Sequence, residues 1–101
     1  MLRHLELAFI KIHILHHACR EEIYGVGMMA ELARHGYRIS PGLLYPALAK
    51  MEQQGVLTCQ KKVVDHKQRK YYRATEAGET LLLEMQNKII ELYDEVIEKR
   101  G

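Results

Sequence analysis

The chain has 101 residues, nearly half of them apolar, with a net charge of +2, two cysteines and no tryptophan. That composition fits one domain with a modest core and excludes a disordered chain. It offers no apolar run able to span a bilayer, no disulfide framework and no zinc-type cysteine spacing. Lys11, His13, His16 and His17 interrupt the apolar first segment as a signal peptide would not, so the expected setting is the reduced cytoplasm, away from membranes.

Leu5, Phe9, Ile12, Leu15 and Cys19 recur every three or four residues and predict a first helix over residues 2–20. After the polar break Glu21-Glu22, a second helix is expected from Tyr24 to His35, with Val26, Met29, Leu32 and Ala33 inward and Gly36 as its stop. Residues 40–55 read as a third: Ser40 is placed to cap, Pro41 suits the first turn, Leu44, Leu48 and Met51 share a face, and Gly55 ends it. Gly42 and Pro46 inside that segment each cost helix stability. A glycine there lets backbone approach a phosphate, and a proline near a helix start bends it where the hydrogen-bond ladder is incomplete.

Val56–Val63 and Arg69–Ala74 carry strand formers, joined by a polar tip over residues 64–68. One of Tyr71 and Tyr72 is expected in the core and the other toward solvent or a ligand. Thr75-Glu76-Ala77-Gly78 opens a last helix expected to reach Arg100. Two apolar stripes run along it: Leu82, Met85, Ile89, Leu92 and Val96, and beside them Leu83, Ile90, Tyr93 and Ile97. One stripe suffices for a small core, so the second predicts a partner chain.

Charge is uneven along this pattern. Residues 60–73 hold six basic and one acidic residue, +5 in all, whereas residues 74–101 hold three basic and seven acidic, −4. A compact basic segment points to a polyanion. Three helices followed by a basic hairpin describe a winged helix-turn-helix, so the fold expected is mainly α with a small β-hairpin (α+β). Residues 1–74 form the DNA-binding part and residues 75–101 a long C-terminal dimerisation helix, in a single compact unit. In such a fold the third helix enters the major groove and the hairpin reaches the adjacent backbone.

Two stretches carry a family resemblance. Tyr24-Gly25, Glu31-Leu32 and the run Ser40-x-Gly42-x-Leu44-Tyr45-Pro46-Ala47-Leu48-x-Lys50-Met51-Glu52-x-x-Gly55-Val56-Leu57 form the first. Arg69-Lys70-Tyr71-Tyr72-Arg73-x-Thr75-Glu76-x-Gly78 is the second. Together they resemble the PadR family of bacterial transcriptional regulators. The resemblance implies a winged-helix repressor, homodimeric through its C-terminal helix and responsive to small molecules. Three positions depart from the family pattern: Leu43, where a small hydroxyl residue is common, Gly27, and a hairpin tip without glycine.

The residues expected at double-stranded DNA, an inverted-repeat operator, are Tyr24, Ser40, Gly42, Leu43, Tyr45, Pro46, Lys50, Lys62, His66, Lys67, Gln68, Arg69 and Lys70. Those expected between two copies are Leu5, Phe9, Leu82, Met85, Ile89, Leu92 and Val96. No nucleophile pairs with a base in the sequence, so neither an enzyme nor a cofactor is expected. A rival reading makes the His/Cys-rich first helix a metal or redox sensor. His13 and His17 share one helix face at i and i+4, but no third ligand is evident in sequence, so no metal is assigned. Another rival is a winged helix that docks protein, against which the basic hairpin argues.

Overall fold

The computed structural model describes residues 1–99. In chain order it contains α1 (Leu2–Arg20), α2 (Gly25–Arg34), α3 (Pro41–Gln53), β1 (Leu57–Val64), β2 (Lys67–Ala74) and α4 (Glu76–Val96). The strands form one antiparallel hairpin. Ile23, just before α2, adds a bridge to its free edge, exchanging both backbone hydrogen bonds with Tyr72 at 2.8 Å.

The core lies between α1, α2, α3 and the hairpin base. Ile14, Leu15, Leu32, Leu44, Leu48 and Leu57 are essentially sealed from solvent. The base of the hairpin joins that core because Leu57, Cys59, Tyr72 and Ala74 pair on one face. Tyr72 is buried, with its phenol pushed up to about 12 by burial and then by the neighbouring Cys59. Tyr71 lies on the opposite face, half-buried.

Several sequence expectations shift by a residue or a turn. On α1 the buried positions are Ile10, Ile14, Leu15 and Ala18, so Leu5 and Phe9 belong to a second, exposed apolar face. On α2 the core side is Gly25, Met28 and Leu32, while Val26 and Ala33 point outward. The tip is two residues, Asp65-His66, because Val64 pairs with Lys67 and Val63 with Gln68. Both tip residues have positive φ, 51° and 65°, the geometry of a type I′ turn formed without glycine. The last helix stops at Val96 instead of reaching Arg100, which lies outside the described residues. Asp94 and Glu95 crowd its C-terminal turn, and that last turn itself holds no basic residue to offset the helix dipole.

Both helix-stop glycines adopt left-handed backbone, Gly36 at φ +86° and Gly55 at +82°. Thr75 forms the joint between α3, the hairpin and α4. Its hydroxyl accepts from the Gly78 amide at 3.1 Å and donates to the Gly55 carbonyl at 2.6 Å, while its own amide donates to the Val56 carbonyl at 3.0 Å. Gly78 is required there, since a Cβ would overlap the Val56 carbonyl oxygen. The first half of α4 packs on α1 through Leu82, and the second half extends beyond the core. The radius of gyration, 14.8 Å, accordingly exceeds the about 13 Å of a compact chain this size.

Candidate nucleic-acid interface

Leu44, Leu48 and Met51 turn one side of α3 into the core. The helix period therefore presents Gly42, Tyr45, Pro46, Ala49 and Lys50 outward. Ser40 occupies the N-cap position, yet its side chain makes no capping bond; its carbonyl alone accepts, from Leu43 and Leu44. The Ser40 hydroxyl is thus free at the exposed start of α3. Leu43 is different: it is half-buried against the core, so its aliphatic side chain is only partly presented.

Pro46 cannot donate the i→i−4 bond, and the carbonyl it leaves without that bond is Gly42's. A proline ring ordinarily crowds the residue i−4 carbonyl. Here that residue is a glycine with open space around it: an added Cβ would meet nothing within 4 Å except the Ser40 Oγ at 3.8 Å. The two helix-weakening residues therefore occupy one linked position on the exposed face.

Tyr24 and Gly25 bring α2 and the hairpin to this face. The Ile23–Tyr72 bridge sets Tyr24 beside the hairpin, where its ring centroid lies 5.6 Å from that of Tyr71 and Arg69 stacks over it at 5.1 Å. Gly25 lies against the Tyr45 ring, close enough that a Cβ would overlap the phenol. A groove lined by Tyr24, Gly25, Val26, Tyr45, Gln68, Arg69 and Lys70 results between the hairpin and the outward face of α3.

The hairpin carries like charges directly opposite one another, Lys61 against Lys70 and Lys62 against Arg69. Such rungs destabilise a ladder unless something neutralises them. The Lys62–Arg69 rung is answered internally: Lys62 Nζ sits 2.6 Å from Glu22 and 5.2 Å from the Tyr71 ring. Lys62 is thereby tied to a carboxylate of its own chain while its side chain stays partly exposed. Lys61, Lys67 and Lys70 have no carboxylate within ion-pair distance among the described residues, and His66 and Gln68 are exposed beside them. Glu22 belongs to a polar break in the sequence, and its role is legible only once the fold sets it against the hairpin.

The remaining expected residues fall into two groups. Leu82 is buried in the chain's own core and Met85 packs partly against it, because the first turns of α4 lie on α1. That removes Leu82 from a surface between copies. Leu5, Phe9, Ile89, Leu92 and Val96 are exposed, as are Leu83, Ile90, Tyr93 and Ile97. His13 and His17 face the end of α2, where His35 joins them. Burial, and then His35, His17 and His16, hold the His13 imidazole below its ordinary range. Cys19 and Cys59 are free thiols, and burial, with Glu79, pushes Cys19 up, making it a poor nucleophile.

Residues 14–84 match the transcriptional regulator PadR-like family. The chain is 45% identical over 96 residues to transcriptional regulator Rv3488 of Mycobacterium tuberculosis, covering 95% of this chain and 90% of that protein. A PadR family transcriptional regulator from Eggerthella lenta superposes with a TM-score of 0.83 at 33% identity, over 95% of this chain and 85% of that one. The fold alone is also shared with Bacillus subtilis PadR in complex with operator DNA, at a TM-score of 0.70 and 21% identity over 77% of this chain and 46% of that one. These relatives are regulators and not enzymes. The family match over residues 14–84 and the 45% identity over 95% of the chain make it a member of the PadR-like family of transcriptional regulators.

Proposed function

We propose that the chain is a sequence-specific binder of double-stranded DNA that acts as a homodimeric repressor. Residues 1–74 read the operator and residues 75–101 pair two copies. The observation that carries this reading is the groove in which Tyr45, Tyr24, Arg69 and Lys70 meet. It joins an uncapped, glycine-opened helix start to cations that have no carboxylate within ion-pair distance among the described residues. Ser40, Gly42, Tyr45, Pro46 and Lys50 face base edges and nearby phosphates, with Leu43 contributing its outer edge. His66, Lys67, Gln68, Arg69 and Lys70 hold the flanking backbone, and Lys62 acts through its Glu22 pair in fixing the hairpin. The operator-bound Bacillus subtilis PadR, which shares the fold, supports this assignment.

Pairing through α4 is favoured by its exposed apolar residues, which a lone domain leaves wet. The seam runs from Ile89 through Leu92 to Val96 with the Leu83, Ile90, Tyr93 and Ile97 stripe beside it. Leu5 and Phe9 extend it. A cleft between α1 and α4, with Phe9, Ile12, Leu82 and Ile89 as its apolar lining and His13, His16, Tyr37 and Gln86 as its polar one, suits a small amphipathic effector whose binding would alter the seam and release DNA. Selection of duplexes from a random pool tests the reading. Recovery of an inverted repeat bound with steeply salt-dependent affinity supports it; failure to enrich any sequence at low salt overturns it.

A further inference from the structure

His13 and His17 lie one turn apart on α1, and His35 caps the C-terminus of α2. One potential ligand atom from each falls within 4.8 Å of the other two. Glu31, one turn before His35, places its Oε1 3.8 Å from His17 Nε2 and 3.6 Å from His35 Nε2. The third imidazole, which no spacing in the sequence reveals, comes from a different helix.

We propose that His13, His17 and His35 form a binding site for a divalent transition-metal ion of the Zn2+ class, with the Glu31 carboxylate completing it. Three imidazoles and a carboxylate form a donor set suited to Zn2+ and related borderline ions, and one that Mg2+ or Ca2+ would not select. Zinc–nitrogen bonds of about 2.0–2.1 Å place tetrahedral ligands roughly 3.3 Å apart. The imidazoles must therefore draw together by about 1.5 Å at most, a change that side-chain rotation supplies. His13 and His35 now stack with centroids 4.6 Å apart and planes 29° off parallel, and coordination would open that stack. Glu31 also pairs with Arg34 at 3.2 Å, a solvent-facing contact that an ion would displace at little cost.

The placement gives occupancy a mechanical meaning. His35 is the last residue before the Gly36 turn into α3, whereas α1 is the helix on which α4 packs. An ion held by both would staple the helix-turn-helix to the part of the domain that carries α4. Regulation of DNA affinity through that staple rests on the proposed function. Metal binding itself does not, and it is measured without DNA.

The test uses the full chain, free of any polyhistidine tag and stripped with a chelator. Zn2+ is titrated by calorimetry and Co2+ by visible absorption. The wild type is expected to take one ion per chain, with the intense cobalt bands of tetrahedral coordination and a higher Tm when Zn2+ is bound. His13→Ala, His17→Ala and His35→Ala should each weaken Zn2+ binding at least tenfold, and Glu31→Gln several-fold. His4→Ala, near the free end of the same helix, should leave it unchanged. Circular dichroism verifies that each variant folds, and His→Gln replacements serve where alanine does not. A wild type that binds no Zn2+ at 100-fold molar excess overturns the proposal. So does a folded His35→Ala protein with wild-type affinity, which would leave only an adventitious pair on α1.

Discussion

Gly42 is a helix-interior glycine that nothing inside the chain demands: its φ is not left-handed and its surroundings are open. Its neighbour in the i+4 direction is Pro46, and in the proposed function both residues serve what approaches from outside. Gly42→Val should leave Tm unchanged or raise it slightly, because valine is the better helix former by a few tenths of a kcal/mol. Affinity for the selected duplex should fall at least tenfold. Thermal melts and duplex titration on the same sample separate the two effects, and a variant that loses stability while binding normally would assign Gly42 to packing. At the core end of the hairpin, Tyr72 makes a different prediction. Its folded pKa, about 12, lies above the ordinary value of 10, so the fold favours the neutral phenol. That contribution is fully present below pH 10 and is lost as pH rises through 12. Urea unfolding of Tyr72→Phe should therefore fall less steeply with pH across that window than the wild type does.

The hairpin shows what a sequence discloses about an element and what it hides. Its strands, its basic character and the division of labour between Tyr71 and Tyr72 were legible, because period-two alternation and charge density are local properties. The tip was not. Asp65-His66 lacks the glycine that signals a two-residue turn, so a polar five-residue loop was the natural expectation; the ladder instead closes to Val64–Lys67 and holds two side-chain-bearing residues at positive φ. His66→Gly should relieve about 1 kcal/mol of left-handed strain and raise Tm by about 4 °C or more, as read by calorimetry. The same limit applied to the helices. Apolar spacing located α1 and α2 to within a residue or two, but a helix with two apolar faces does not say which one the core covers. That is why spacing alone turns Val26 inward and leaves Ile10 out of the core, whereas the fold does the reverse. The exposed side of α3 was legible as the complement of Leu44, Leu48 and Met51. The Glu22–Lys62 pair and the approach of His35 to α1 join residues far apart in sequence and leave no local periodicity to read.

At the scale of the whole molecule, the outer half of α4 carries more apolar surface than one domain covers. In the proposed dimer, Ile89→Asp combined with Leu92→Lys places charges in the seam and should yield a monomer by sedimentation, with duplex affinity reduced at least a hundredfold. A variant that remains dimeric would put the seam elsewhere. In that dimer α4 would hold two reading heads at a fixed separation, which gives the stiffness of its attachment a meaning of its own. Thr75 fastens α4 to the end of α3 and the root of the hairpin through one hydroxyl and one amide. Each base pair inserted between half-sites moves them about 3.4 Å apart and about 34° around the duplex. A rigid joint cannot follow that screw motion; a loose one can. Thr75→Val, which removes both hydroxyl bonds, should cost about 1 kcal/mol of stability. It should also let the dimer accept spacers one base pair too long or too short that the wild type rejects, read as a shrinking affinity ratio between the two. Thr75 would then act as a ruler, setting how strictly operator length is measured.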